Sequence, residues 1–357
     1  MSRGTAAAAL AAAIAASLLL GACKSDDRGK RKPPAPRSQA AAGESRPAGG
    51  PLTVYSGRNK DLIGPLIERY EKKTGVEVRI RYGESAELAA TLLEEGANTP
   101  ADVFFSQDAG ALGALEKEGR LAMLPEQILD RVEPRFRAKQ GHWVGASGRA
   151  RIVAYDRREI DEADLPRSIL DFTGPAWKGR IGWAPTNASF QAFVTALRVT
   201  KGEEAARRWV EGIVANDAEV FENNIAVRDA IAAGEIDVGF INHYYVAEAY
   251  AEQGRGYPVR IFQPPGGDPG SLVNVAGAGQ LEGAGNPGGA QRFVAFLLSK
   301  DAQAFFARRT KEYPLAAGVE ADPSLVPLEH IEQPHVDLSN LDDLKGTIEL
   351  LEEAGAL

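Results

Sequence analysis

Short apolar runs alternate with helix-like segments along most of the chain, and this alternation limits the possible folds more than any other feature. The run Leu52–Tyr55 is followed by apolar residues at helical spacing from Leu62 to Tyr70, and Gly75 is a good helix end. The same order recurs up to a last predicted helix over 340–354. Strands and helices joined by short loops predict an α/β sheet with buried strands. Two such units in series predict a ligand cleft at the carboxyl ends of their strands.

The predicted elements follow from periodicity and from turn residues. Strands are predicted over 52–55, 76–82, 102–105, 150–155, 180–184, 236–241 and 271–276, and the segment 76–82 shows alternation of apolar and polar residues. The later helices repeat apolar residues at helical spacing over 188–200, 203–215, 226–233, 245–253, 288–299 and 301–309. Asp108 is expected to cap a helix that runs to Gly119.

Charge and size restrict the function classes. The chain carries a formal net charge of −8, and because residues 1–50 are net basic, the remainder is more acidic still. An acidic body has no broad basic face for a phosphate backbone, so we expect no nucleic-acid partner. A body of roughly 300 residues exceeds one small core, which predicts two lobes. We place the N-terminal lobe at 52–148 plus 275–324 and the C-terminal lobe at 149–274 plus 325–357.

The first 50 residues are expected to direct and tether the protein. Residues 1–22 have one charge, Arg3, followed by an uncharged Ala/Leu stretch and small residues, which predicts an export signal peptide. The only cysteine, Cys23, follows Leu-Gly-Ala and resembles a lipobox, which implies lipidation at Cys23. A plain secretory signal or an N-terminal membrane helix is the alternative. Residues 23–51 are rich in Pro, Gly, Ala and basic residues and predict a disordered linker.

Motifs that would indicate an enzyme are missing from the sequence. It has no GxSxG, P-loop lysine or HExxH motif, and His330 and His335 have no common metal-helix spacing. The segment Gly283–Gly288 matches GxGxxG by letter, but it does not directly follow a strand and Pro287 lacks a backbone donor. A single cysteine excludes cysteine-cluster metal sites. We therefore expect a protein that is not an enzyme.

The segment Ile241–Tyr245 carries the clearest chemistry. It follows a predicted strand and opens a predicted helix, where Tyr244 and Tyr245 can both face a cleft. A trivalent cation can displace the proton of a phenol, whose ordinary pKa is near ~10, and phenolate is a hard oxygen ligand suited to Fe(III). Metal binding would then release protons. Taken alone, the pair favours the simpler interpretation, in which Tyr244 and Tyr245 are packing residues at a helix start.

Several ordered segments resemble the ferric-ion-binding proteins of bacterial ABC importers. The resemblance covers essentially 52–357 and is carried by segments 54–60, 100–105, 147–156, 177–182, 241–245, 268–270 and 312–315. It implies a type II periplasmic-binding-protein fold, in which two α/β lobes joined by crossing strands close on Fe(III) and a synergistic anion such as carbonate, phosphate or citrate. It also implies delivery to an ABC permease and its ATPase.

The family's site residues transfer one position at a time. Its paired tyrosine ligands match Tyr244 and Tyr245, and its anion-binding arginine matches Arg149. The helix start that holds the anion through backbone N–H groups matches Asn187, Ala188 and Ser189, and a helix N-terminus is a sound anion site on physical grounds. Two further polar residues near the anion match Asn224 and Asn242.

The first lobe departs from the family pattern. Where some members have a histidine ligand this chain has Asn59, and where they have a glutamate ligand it has Gln107. Other members add tyrosines, but the matching positions here hold Lys60 and Phe190. Asp108 is either a cleft residue or a helix cap. His243 lies beside Tyr244 but is expected to point away.

Two classes of function remain open from the sequence. The first is a solute-binding protein for ferric iron, monomeric and lipid-anchored in the periplasm or cell envelope. Its variant keeps the fold but binds a phosphorylated or phosphonate-type organic anion. The second class is a lipid-tethered ligand sensor. Lobe closure on the ligand is the expected mechanism in the first class.

Overall fold

The computed structural model describes residues 50–357. Within this range the strands are β1 Leu52–Ser56, β2 Val78–Tyr82, β3 Val103–Ser106, β4 Val144–Asp156, β5 Ile181–Trp183, β6 Glu219–Val220, β7 Val238–Asn242, β8 Val259–Phe262, β9 Val273–Gln280 and β10 Tyr313–Pro314. The α-helices are α1 Lys60–Thr74, α2 Ser85–Glu95, α3 Ala109–Lys117, α4 Glu126–Leu129, α5 Ala188–Lys201, α6 Glu203–Ala215, α7 Asn224–Ala233, α8 His243–Gln253, α9 Pro287–Leu297, α10 Lys300–Arg309 and α11 Leu344–Glu353.

One long strand joins two halves of a mixed sheet. Along Val144–Ala150, β4 pairs antiparallel with β9, and from Arg151 onward it pairs with β7 and β8 instead. We call the half that contains β1, β2, β3, β9 and β10 the first lobe, and the half that contains β5, β6, β7 and β8 the second lobe. In the first lobe β1 pairs parallel with β2 and β3, and in the second β5 pairs parallel with β6 and β7.

Each half of the sheet has its own aromatic packing. In the first lobe Tyr70 of α1 meets Phe293 and Phe296 of α9 at ring-centroid distances of 5.1 Å. In the second lobe Trp209 lies 5.5 Å from Phe240 and belongs to a separate buried cluster. Large aromatic side chains bury extensive apolar area, so each cluster fixes its helices against its own part of the sheet.

The predicted α/β, two-lobe fold is confirmed, and several elements match closely. The helices predicted over 188–200 and 203–215 are α5 and α6, which span Ala188–Lys201 and Glu203–Ala215. The strand predicted over 150–155 is only the second half of β4, because its first half contains small and polar residues that give no apolar run. The residue boundaries of the two lobes stay predictions.

Polar side chains cap the first turns of helices α1 and α3. Asn59 caps α1 by accepting a hydrogen bond from the Asp61 N–H, at 2.8 Å. Asp108 caps α3, as predicted, by accepting from the Ala111 N–H at 3.1 Å. A polar cap satisfies donors that would otherwise have no partner at a helix start.

With respect to the membrane, the described body of the protein is distinct from the predicted N-terminal anchor. Among residues 50–357, no helix combines the length and the apolar character that crossing a membrane would require. The predicted signal peptide, Cys23 and most of the predicted linker lie outside the described residues.

Candidate metal and anion site

The carboxyl ends of several strands meet where β4 changes its pairing partners. Arg149 of β4 lies opposite Asn274 of β9, and Arg151 lies opposite Asn242 at the end of β7. Residues i and i+2 of a strand point to the same face, so both arginines project to one side of β4. Helices α5 and α8 begin close by, and the candidate site is built from these pieces.

The two predicted tyrosine ligands are in contact. Helix α8 begins directly after β7, and the rings of Tyr244 and Tyr245 have centroids 4.2 Å apart with an interplanar angle of 37°. Tyr244 is 9% exposed, and Tyr245 is half-buried. Burial, followed by the Tyr245 phenol, raises the pKa of Tyr244 well above its ordinary value, although the charge of Arg149 opposes this shift. Deprotonation of Tyr244 therefore needs a strong neighbouring cation.

The histidine beside this pair faces away from it, as expected from the sequence. His243 is fully buried, and its Nδ1 accepts a hydrogen bond from the Ala150 N–H at 3.1 Å. Its Nε2 lies 2.9 Å from the Lys311 carbonyl oxygen, so Nε2 carries the proton. The ring also stacks on Tyr313 at 4.6 Å. Burial lowers the pKa of His243 to about 4, so the ring is neutral and both nitrogens are engaged.

The predicted anion residues of α5 and α7 contact one another. Asn187 caps α5, and its Oδ1 accepts from the N–H and the hydroxyl of Ser189 at 3.1 and 2.6 Å. The Asn224 amide donates to Asn187 Oδ1 at 3.1 Å and to Ser189 Oγ at 3.3 Å. Ala188 is the first residue of α5. The buried Oδ1 of Asn224 and Nδ2 of Asn242 have no hydrogen-bond partner in the part of the chain that the structure describes.

A small cavity lies between these residues and the two arginines. Its volume is about 10 Å³, close to the space of a single water molecule. Its walls come from both arginines, two helix residues and three residues of adjacent strands and loops: Arg149, Arg151, Ser189, Phe193, Asn242, Leu272 and Asn274. The cavity is thus lined mainly by cationic and hydrogen-bonding side chains.

Both arginines are buried, and each has nitrogen atoms that make no hydrogen bond to the described residues. Arg149 and Arg151 are 3% and 2% exposed. Among residues 50–357, Nε and Nη1 of Arg149 and Nε and Nη2 of Arg151 have no hydrogen-bond partner. Desolvation lowers the pKa of Arg151 to about 9, an effect to which the charge of Arg149 contributes and which the two tyrosines oppose. Uncompensated buried cations are costly, so the site is poised for an anion.

A buried ion pair between Arg58 and Glu312 lies next to Arg149 on the first-lobe side of the site. Arg58, after β1, donates from Nη2 to both carboxylate oxygens of Glu312 at 2.9 and 2.8 Å. Its Nη1 donates to Gln107 Oε1 at 2.7 Å. Ser147 and Thr310 hydroxyls each donate to Glu312 at 3.0 Å. Gln107 is thus held by Arg58.

A glycine permits the close packing of this first-lobe loop. A Cβ on Gly57 would lie 1.9 Å from the hydroxyl oxygen of Ser85. That hydroxyl accepts a hydrogen bond from the Gln107 N–H at 2.9 Å. Gly57 therefore lets the loop after β1 approach α2 and the loop after β3.

The predicted residues divide into two groups. Arg149, Ser189 and Asn242 line the cavity, Asn187 and Asn224 contact Ser189, and Tyr244 and Tyr245 interact electrostatically with Arg151. In the first lobe Asn59 and Asp108 act as helix caps and Gln107 contacts Arg58. Burial raises the pKa of Asp108, opposed by backbone N–H groups and Arg149. No cluster of three or more His, Cys, Asp or Glu suited to a metal occurs among residues 50–357.

Sequence reasoning missed four residues of this region. Arg151 and Asn274 line the cavity, and Arg58 and Glu312 form the buried ion pair. Arg151 could have been found from its position two residues after Arg149 in a predicted strand, since strand side chains alternate with period two. Arg58 and Glu312 lie 254 residues apart, and no local pattern indicates that they meet.

Comparisons with known proteins agree on one group. A family model described as bacterial extracellular solute-binding protein matches residues 98–336. The chain is 35% identical over 319 residues to a major ferric iron-binding protein of Neisseria meningitidis serogroup B, covering 88% of this chain and 96% of that protein. It is 32% identical over 308 residues to an Fe(3+)-binding periplasmic protein of Serratia marcescens, covering 86% and 90%.

Solved structures show the same similarity. Iron-bound HitA from Pseudomonas aeruginosa has a TM-score of 0.79 and 35% identity, covering 86% of this chain and 99% of that one. The Trichodesmium protein IdiA (FutA), in complex with iron and citrate, has a TM-score of 0.74 and 30% identity, covering 86% and 100%.

Proposed function

Because the chain belongs to the bacterial extracellular solute-binding protein family, we propose that it binds ferric iron with a synergistic anion and delivers it to a membrane permease. Its partners are then an ABC permease and the associated ATPase. We place it in the periplasm or cell envelope as a monomer anchored through lipidated Cys23. The proposed activity is binding and release, with no chemical turnover.

The observation that carries this proposal is the contact between two phenols beside buried cations. Tyr244 and Tyr245 have ring centroids 4.2 Å apart at the start of α8. Two phenolates are hard anionic ligands, and hard oxygen donors suit Fe(III). Burial raises the pKa of Tyr244, so its ionisation requires a strongly polarising cation beside it, which fits a ferric ligand.

The remaining ligands are proposed to come from an anion. Arg149 and the Asn242 amide have buried donors without a partner among residues 50–357 and would bind it directly. The start of α5 at Asn187, Ala188 and Ser189 lies beside them, and the Asn224 amide, which now donates to Asn187 and Ser189, would have to exchange these contacts for the anion. Asn59, Gln107 and Asp108 are engaged in caps or in the Arg58 contact, so the first lobe offers no free anionic ligand at these three positions. The anion, taken from carbonate, phosphate or citrate, completes the coordination of the metal.

The relatives favour iron over the other cargo considered from the sequence. The Neisseria and Serratia proteins, each more than 30% identical, are named for ferric iron binding. An organic-anion cargo or a sensor role has no comparable support among these relatives. Lobe closure would bring the first-lobe loops over an ion already held by the second lobe.

Colour tests the proposal directly. Ferric phenolate has a visible charge-transfer band, so protein mixed with Fe(III) and carbonate, phosphate or citrate should turn reddish. Tyr244→Phe and Tyr245→Phe should each weaken or abolish the band, because each removes one phenolate ligand. Tyr250→Phe, on the same helix, is the matched control and should keep the band. No colour with any of the three anions contradicts the proposal.

A further inference from the structure

Arg151 is a buried cation without a carboxylate partner. Its guanidinium lies 5.5 Å from the ring centroid of Phe190 and 5.3 Å from that of Phe193, so aromatic faces cover it. Within the described residues, its hydrogen bonds are two long ones from Nη1, 3.3 Å to the Phe240 carbonyl oxygen and 3.5 Å to Asn242 Oδ1. Cation–π contacts compensate only part of the desolvation of such a charge.

Arg149 lines the same pocket, and its charge is also incompletely compensated. Its nearest carboxylate oxygen belongs to Glu312 and lies 3.9 Å from Nε, beyond hydrogen-bond distance. Glu312 already accepts two hydrogen bonds from Arg58 and one each from the Ser147 and Thr310 hydroxyls. The pocket is therefore lined by two guanidinium groups and by no carboxylate of residues 50–357, and the carboxylate nearest to Arg149 is bound to a third arginine.

We infer that Arg151 is a specificity-determining residue that makes the pocket selective for a multiply charged oxyanion over a singly charged one. A single negative charge compensates only one of the two guanidinium groups, and a dianion compensates both. The four buried N–H-bearing nitrogens without partners need several acceptor oxygens, which a phosphate-type or polycarboxylate anion has. Asn274 and Ser189 line the same cavity and add further polar contacts.

This inference rests on the anion site of the proposed function, but it can be tested without iron. The probe is inorganic phosphate at pH 8, where it is mainly a dianion, with sulfate as a second dianion and formate as the monoanion. Isothermal titration calorimetry of iron-free protein gives the three dissociation constants. We expect phosphate and sulfate to bind at least ~10-fold more tightly than formate, since hydrogen bonds to charged groups are worth that much each.

Arg151→Gln separates a binding role from a structural one. We expect it to weaken phosphate and sulfate binding by at least ~10-fold while changing formate binding by less than about threefold. Its melting temperature without anion should stay level or rise, because the variant removes an unpaired buried charge. Arg151→Lys keeps the charge without the planar fork and should fall between the two proteins. Arg208→Gln removes an exposed charge of the same lobe and should change neither measurement.

Three results would overturn the inference. They are absence of phosphate and sulfate binding by the wild-type protein, an unchanged preference in Arg151→Gln, and an equal loss of formate and phosphate binding in that variant. The iron-dependent colour is read separately in each protein. Selective anion binding without colour leaves the inference standing and rejects the iron proposal, and colour without selectivity does the opposite.

Discussion

Two regions of the molecule, the loop after β1 and the middle of β4, differ in how their buried arginines are paired. Arg58 in the first lobe has two hydrogen bonds to Glu312 and one to Gln107. Arg149 and Arg151 instead leave four nitrogens without partners around a cavity. Arg58 is paired with a carboxylate and leaves only its Nε without a partner among residues 50–357, whereas Arg149 and Arg151 retain binding capacity for a ligand. Comparing the partners of a buried cation thus separates a structural arginine from a functional one.

The largest expected effect comes from breaking the first-lobe pair. Glu312→Gln leaves Arg58 without its carboxylate, so we expect a loss of about 3–5 kcal/mol in the free energy of unfolding. Chemical denaturation of iron-free protein measures it. Arg151→Gln should show no such loss, although both variants alter a buried charged residue.

A control and a rescue define this experiment. Glu349→Gln removes a carboxylate that is 57% exposed and should change stability by less than about 0.5 kcal/mol. The double variant Arg58→Met/Glu312→Met removes both charges and should recover part of the loss. If Glu312→Gln is as stable as the wild-type protein, the contrast between the two regions fails.

The buried residue His243, at the start of α8, should make the free energy of unfolding depend on pH. His243 contacts Ala150 and Lys311, and its pKa is lowered to about 4 by burial. The unfolded state therefore binds more protons between pH 6.5 and 4. The contribution of His243 to the free energy of unfolding is fully present above pH 6.5 and falls by about 3 kcal/mol as the pH drops to 4. Below pH 4 this group causes little further loss.

Denaturation at several pH values checks this linkage. His243→Gln should flatten the dependence between pH 6.5 and 4, whereas His335→Gln, at an exposed position, should leave it as in the wild type. An unchanged profile in His243→Gln would show that another group carries the dependence.

Iron binding should release protons from the second lobe. Burial raises the pKa of Tyr244, so the phenol is protonated before the metal arrives. If both tyrosines ionise, the apparent ferric affinity falls by up to ~100-fold for each unit of decreasing pH. Titration against a chelator of known protonation gives the slope. Tyr245→Phe should reduce the slope by about one proton, and a slope of zero is incompatible with phenolate ligation.

The smallest effect tests whether the first lobe can be opened to the metal. Gln107→Glu supplies an anionic oxygen at a position that the family resemblance associates with a glutamate ligand. Because Arg58 donates to this side chain at 2.7 Å, we expect it to hold the new carboxylate. Ferric affinity should then change by less than ~10-fold. A larger gain would mean that Arg58 releases the carboxylate to the metal.

The sequence by itself determined the local structure. The alternation of apolar runs and helical spacing predicted helices such as α5 and α6 almost to the residue, because periodicity reports which face of an element is buried. It also placed Tyr244 and Tyr245 at a strand-to-helix junction and Asp108 at a cap, since both are properties of neighbouring residues.

Only the tertiary structure decided which charges are compensated. Arg58 and Glu312 are 254 residues apart in the chain, yet they form a hydrogen-bonded ion pair. Arg149 and Arg151 each keep two buried nitrogens without a hydrogen-bond partner among residues 50–357. Sequence spacing cannot give this, because desolvation and pairing depend on what the folded chain places around each guanidinium. The elements follow from local patterns, and the character of the site follows from contacts made across the sheet.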